Sequence, residues 1–149
     1  MAWLAALAHC LQSGAVLLVD YGLTRRELYH PQRGAGTLVC HYRHRAHDDP
    51  FLYPGLQDIS AWVDFSACAH AATAAGFTVA GFTTQAQFLL ASLAADPPRA
   101  ADGVAALKEL AALKTLLLPG EMGERFKVML LRKRGACGPL PGRDLRERL

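Results

Sequence analysis

The sequence predicts an α/β fold, and three observations carry that expectation. The continuous apolar run Ala15–Val19 is too short for a helix and matches a strand buried on both faces, and Phe77–Phe82 and Phe126–Arg132 read as further strands. Between them lie stretches whose apolar residues recur at helical spacing. Gly14, Gly76 and the pair Pro119-Gly120 punctuate the alternation where a chain must turn.

The elements follow in order. Residues 2–12 read as a helix, with Trp3, Leu4, Leu7 and Leu11 on one stripe and Gly14 suited to the left-handed position that ends it. The run 15–19 is then a strand that stops at Asp20-Tyr21-Gly22. Helix, glycine, buried strand and acid make half of a βαβ unit. Ligands in open α/β sheets bind at the carboxyl ends of such strands, so Asp20 and Tyr21 are the first site candidates. Thr24 to Tyr29 fits a helical turn, 31–36 a loop, and 37–43 a second strand. A polar loop runs from His44 to Asp58. Asp64 suits the cap of a helix over 65–75 that stops at Gly76. A strand over 77–82, a helix over 85–93 with Phe88, Leu89 and Leu93 inward, a Pro-containing linker over 94–103, a helix over 104–113 and a last strand over 126–132 complete the chain. After Gly135 the composition turns to Gly, Pro and Arg without periodicity, which predicts a flexible basic tail over 135–149 that frays, behind a domain portion over 1–134.

Composition limits the function classes. The 149 residues are 52% hydrophobic, but 26 of them are alanine, so the core must come from Leu, Val, Phe and Ile. No apolar run reaches the ~18 residues of a membrane span, and the N-terminus lacks a basic region. A cytoplasmic protein with reduced thiols is the expectation, because the four cysteines form no CxxC pair and no dense framework. The net charge of +3 sits in the last third, with no aromatic residue after Phe126, a pattern that speaks for a solvated end rather than a nucleic-acid surface.

The densest chemistry lies over 41–49, where His41, Arg43, His44, Arg45, His47, Asp48 and Asp49 follow one another. Metal ligation fits poorly, since positions 41 and 44 of a strand point to opposite faces and no second ligand cluster exists. A loop that orders over a substrate, or a plain solvated loop, are the two remaining readings. Asp58 lies between a Pro-Gly loop and an apolar segment, and with Asp64 it could hold a cation. The chain has no G-x-S-x-G elbow, no P-loop and no G-x-G-x-x-G.

Taken in order, Leu18-Val19-Asp20-Tyr21-Gly22, Glu27-Leu28-Tyr29, Gly36-Thr37-Leu38, His41-Tyr42, His44-Arg45, Asp49-Pro50-Phe51, Pro54-Gly55, Gln57-Asp58-Ile59-Ser60, Val63-Asp64-Phe65, Gly81-Phe82, Thr84-Gln85, Phe88-Leu89 and Met122 to Val128 resemble the MidA family. These are class I S-adenosylmethionine-dependent methyltransferases and include a mitochondrial protein-arginine methyltransferase that assists complex I assembly. The resemblance spans about residues 13–132 and implies the C-terminal part of a Rossmann-like sheet. Residues 15–19 would be its fifth strand, 77–82 its sixth and 126–132 its antiparallel seventh. The family's Gly-rich turn and the acidic residue ending its second strand are not in this sequence, so the cofactor-binding strands are expected upstream of Met1 and the cofactor ligands stay unassigned.

The resemblance implies a substrate-side half of a methyltransferase, with a protein arginine as acceptor. Asp20, Tyr21 and His41 are the candidate catalytic residues. Tyr42, His44, Arg45 and Asp58 are the candidate substrate contacts. The implied cofactor is S-adenosylmethionine, with no metal, no nucleic acid and no membrane. Because a sheet cut before its fifth strand exposes Val16 to Val19, the expected partner is the missing N-terminal half or a second chain. The rival reading is a non-catalytic module that docks through that edge or through the basic tail.

Overall fold

The computed structural model describes residues 1–97, 103–135 and 137–149. Its elements are α1 (Ala2–Cys10), β1 (Gly14–Leu23), α2 (Arg25–Leu28), β2 (Val39–Tyr42), β3 (Arg45–His47), β4 (Asp58–Ser60), β5 (Val63–Asp64), α3 (Phe65–Ala74), β6 (Thr78–Thr84), α4 (Gln85–Ala95), α5 (Gly103–Leu117) and β7 (Phe126–Lys133). Two sheets form. The main one has the order β5-β1-β7-β6, and the small one the order β3-β2-β4. β7 runs antiparallel to both β1 and β6, so the last strand is inserted between two strands that share a direction. This is the mixed α/β arrangement expected of the fifth, seventh and sixth strands.

β7 holds the centre. Lys127, Val128, Met129, Leu130 and Leu131 are consecutive buried residues, as a strand covered on both faces requires. On one face the core gathers Leu4 and Ala8 of α1, Phe65, Cys68 and Ala72 of α3, Phe77, Phe82, Met129 and Leu131. The Phe65 and Phe82 rings meet at 5.4 Å. The inward stripe of α1 is thus Leu4 and Ala8, while Trp3 and Leu7 stay partly exposed. Asp64 caps α3 as its position predicts, with Oδ1 accepting from the backbone N–H of Ala67 at 2.8 Å, and Gly76 takes the left-handed conformation (φ +87°) just beyond the helix.

Four expectations need correction. β1 does not stop at Asp20. It continues to Leu23, because Gly22 and Leu23 pair in parallel with Val63 and Asp64 of β5. Nor is β1 buried on both faces. Leu17 and Val19 are each about half exposed (48% and 49%), since no strand among the described residues pairs with 14–21 on the edge away from β7. The polar stretch 44–58 is not all loop. Arg43 and His44 both take positive φ (47° and 63°) and close a two-residue hairpin, so β2 ends at Tyr42 and β3 follows at once.

The fourth correction concerns the end of the chain, which lies packed rather than frayed. Leu145 is buried in the core and its N–H donates to the Phe82 carbonyl at 2.7 Å. Leu140 lies where a side chain on Gly81 would otherwise stand, and Arg148 pairs with Glu27. Two leucines supply the apolar area that anchors this segment, against an expectation drawn from its Gly, Pro and Arg content. The linker expected over 94–103 falls partly on residues 98–102, outside the described residues. No helix among the described residues is long and apolar enough to cross a membrane.

Two outcomes follow. A Cβ on Gly22 would stand 2.4 Å from the Val63 carbonyl oxygen and 2.8 Å from the Phe65 ring. Gly22→Ala should therefore cost about 1–3 kcal/mol by overpacking, read as a lower Tm in a thermal melt. An unchanged Tm would mean that β5 is not held against β1. Burial pushes the Cys68 thiol up to about 11, with the Asp64 and Asp20 carboxylates adding to the shift. At pH 8 the thiol is protonated, so iodoacetamide should modify the exposed Cys10 and spare Cys68 in the folded chain. Mass spectrometry reads the result, and equal labelling would contradict the burial.

Candidate functional site

The carboxyl end of β1 is the natural place to look, because backbone groups there leave the sheet and the chain must turn. Asp20 and Tyr21 lie in the strand, directly opposite Lys127 and Phe126 of β7. Asp20 is exposed, and its Oδ1 accepts from the N–H of Tyr21 at 2.8 Å. It borders a cleft of about 280 Å³ lined by Trp3, Leu17, Leu18, Val19, Val63, Phe65 and Cys68. Tyr21 meets Phe126 edge-on at 5.7 Å, which fixes its ring. Lys127 is buried; burial pulls its ammonium below the usual lysine range, with Glu27 and Glu124 opposing, and its Nζ donates to the Glu124 carbonyl.

The small sheet carries the other candidates. His41 and Asp58 are direct cross-strand partners on β2 and β4, so the fold brings these two exposed side chains onto one face. Tyr42 faces Arg45 across the β2–β3 hairpin and stacks on Tyr53 at 4.4 Å, with the Arg43 guanidinium 5.4 Å from the Tyr42 ring centre. His44 sits in the hairpin turn. The candidates thus divide into two groups, Asp20 with Tyr21 and the five residues of the small sheet. No hydrogen bond or ion pair among the described residues joins one group to the other. Nor do three His, Cys, Asp or Glu side chains gather as a metal site among the described residues.

Beside β5 and the segment leading into β2 lies a groove that the sequence did not single out. Its volume is about 570 Å³, and Leu28, Tyr29, Arg33, Thr37, Trp62 and Asp64 help to line it. Local structure explains each wall. Thr24 and Glu27 start α2, with the Glu27 carboxylate accepting from the Thr24 N–H and hydroxyl at 3.3 and 3.0 Å. Pro31 opens a single 3₁₀ turn that carries Arg33. The Trp62 N–H donates to the Thr37 hydroxyl at 3.2 Å, tying the segment before β5 to the segment before β2. The Arg33 guanidinium lies 5.2 Å from the Trp62 ring centre, and Asp64 accepts from Arg25 Nε at 3.2 Å. A tryptophan followed two positions later by a carboxylate, Trp62-Val63-Asp64, is the one sequence signal that could have led here.

A larger depression of about 860 Å³ opens beside it, between α2 and the chain's end. Arg26, Arg33 and Arg148 stand on its walls with Glu27 and Glu147, so charges of both signs line it.

S-adenosylmethionine is the cofactor the fold implies, and the residues here do not fit it unaided. Among the described residues no Gly-rich turn leads from the carboxyl end of a strand into a helix to admit a cofactor backbone. Gly34 and Gly36 precede β2 instead, and the space at Gly22 is filled by Val63 and Phe65.

Comparison with known proteins now supplies the family. Residues 1–83 match the family model described as "Putative S-adenosyl-L-methionine-dependent methyltransferase". A crystal structure from Burkholderia thailandensis, of a superfamily member described as a "likely methyl transferase" and bound to S-adenosyl-homocysteine, is 43% identical and superposes with a TM-score of 0.85. The match covers 95% of this chain and 38% of that one. A second structure from the same organism, of an uncharacterized protein of that superfamily, is 44% identical with a TM-score of 0.83, over 95% of this chain and 40% of that one. The chain therefore spans about two fifths of the length of these structures. A search of curated proteins gives no match. With more than half of its residues under the family model and its fold shared at 43–44% identity, the chain belongs to the putative S-adenosyl-L-methionine-dependent methyltransferase family.

Proposed function

We propose that this chain is the acceptor-side part of a methyltransferase of the MidA type, acting on an arginine side chain of a protein. The observation that carries the reading is the carboxyl end of β1, where Asp20 and Tyr21 stand in a strand arrangement shared with a structure that holds S-adenosyl-homocysteine. Cofactor binding is assigned to the part of the longer relatives that this chain does not match. The acceptor-side tasks are to position a nitrogen, hold its charge and take the proton it loses. Asp20 accepts hydrogen bonds from the guanidinium, and Tyr21 bounds it. His41, paired across the strand with Asp58, takes the departing proton, while Tyr42, His44 and Arg45 contact the polypeptide that carries the acceptor.

The unpaired edge of β1 favours a second reading, in which the chain completes the sheet of another polypeptide and does no chemistry. A row of free N–H and C=O groups flanked by Leu17 and Val19 invites a strand. Both readings place the chain in the cytoplasm, and both give it a partner at that edge.

The first of two measurements tests where the cofactor binds, and the second separates these readings. Calorimetric titration of residues 1–149 with S-adenosylmethionine is expected to show no micromolar binding, and a micromolar Kd would overturn the assignment of the cofactor site elsewhere. In a longer relative, replacing the aspartate that matches Asp20 by asparagine should lower methyl transfer about tenfold or more, mainly in kcat. Unchanged turnover would remove Asp20 from the machinery and leave the docking reading in its place.

A further inference from the structure

The geometry points to the groove beside Trp62 as a binding site for a guanidinium side chain, with the Trp62 ring as its platform and Arg33 as an internal occupant that a ligand displaces. The guanidinium here is that of an arginine neighbouring the acceptor held at Asp20, so its link to methyl transfer rests on the acceptor reading above; the binding itself does not depend on that reading.

The argument starts from what already sits there. The Arg33 guanidinium lies 5.2 Å from the Trp62 ring centre, within cation–π range, and Asp64 holds the Arg25 guanidinium at 3.2 Å. The walls thus practise on the chain's own arginines the two contacts by which a guanidinium is recognised: an aromatic face and a carboxylate. The Asp64 side chain is only 13% exposed, so its charge is poorly screened.

Arg33 is held loosely. Its side chain is exposed and its Nε donates one hydrogen bond, to the Glu27 carbonyl at 3.1 Å. Losing that bond to water costs little. The space to exchange into exists: the groove holds about 570 Å³, and nothing lies within 4 Å of where a side chain on Gly34 or Gly36 would begin. Tyr29 offers a second aromatic wall, 71% exposed. Position agrees as well, because β5 brings Val63 and Asp64 against Gly22 and Leu23 at the carboxyl end of β1. Two cations cannot share one ring face, so a ligand binds by exchange with Arg33 and not beside it.

The test uses Trp62 as its own reporter. The chain has two tryptophans, so Trp3→Phe leaves Trp62 as the sole emitter. Titration with N-acetyl-arginine methylamide should change its fluorescence and saturate, the lysine analogue should bind more weakly, and the neutral citrulline analogue should not bind. Arg33→Ala should tighten arginine binding roughly threefold by removing the competitor. Failure of the Arg33→Ala variant to saturate, or equal responses to arginine and citrulline analogues, would overturn the site. Trp62→Leu, checked for folding by circular dichroism, should abolish binding measured by calorimetry, and retained binding counts equally against the site. Arginine methylation by a longer relative without saturable binding here sinks the groove alone. Saturable binding without arginine methylation sinks the acceptor reading and leaves the groove standing.

Discussion

The antiparallel insertion of β7 between β1 and β6 is the constraint on which the remaining structure depends. β7 pairs with β1 from Gly14 to Tyr21 and with β6 from Thr78 to Thr84, so both neighbours are in register only through it. Its five consecutive buried residues leave no polar face for solvent, and the layers on either side exist to cover them. α1 and α3 cover one face with Leu4, Ala8, Phe65 and Cys68. The same register sets Asp20 opposite Lys127 and Tyr21 opposite Phe126, so the chemistry at the end of β1 is placed by a strand more than a hundred residues away. Long-range pairing of this kind forms late and is slow to find, because loop closure precedes the contacts that reward it.

Much of this was legible in the sequence, and the misses share a cause. The runs 77–82 and 126–132 announced strands because each is a short, mostly apolar stretch bounded by glycine or turn signals. Asp64 announced its cap because a side-chain oxygen ahead of a helix satisfies an N–H that nothing else can reach. The hairpin at Arg43-His44 was hidden, since that turn ordinarily asks for Asn or Gly and here two long polar side chains take positive φ. The docked end was hidden for a different reason. Leu140 and Leu145 are isolated apolar residues with no period, and only the gap at Gly81 and the Phe82 carbonyl give them a destination. The chemistry at the end of β1 was read from Asp20 and Tyr21, yet the groove beside it was not. Its walls come from residues 28–37 and 62–64, which a pass along the chain treats as unrelated loops.

The two sheets divide labour in a way composition does not disclose. The main sheet supplies rigidity, and its candidate residues Asp20 and Tyr21 sit at one strand end. The small sheet has few buried residues and exposes His41, Arg45 and Asp58, a surface suited to contact with a partner that is itself ordered on arrival. Segments with little buried apolar area sit at the low end of local stability, the usual provenance of parts that rearrange around a ligand. The proposed acceptor-side role would use both kinds of element, since reacting atoms must be held still while an acceptor enters and leaves.

Glu27 ties distant parts of this molecule together. Its carboxylate caps α2 and receives Arg148 from the far end of the chain, while its backbone carbonyl holds Arg33 above Trp62. Residues 146–148 and the Arg33 guanidinium therefore draw on one short segment, and the position of that segment is a shared thermodynamic variable. That segment is one helix of four residues, so the long-range ion pair of Arg148 and the Arg33 wall of the groove share a single glutamate.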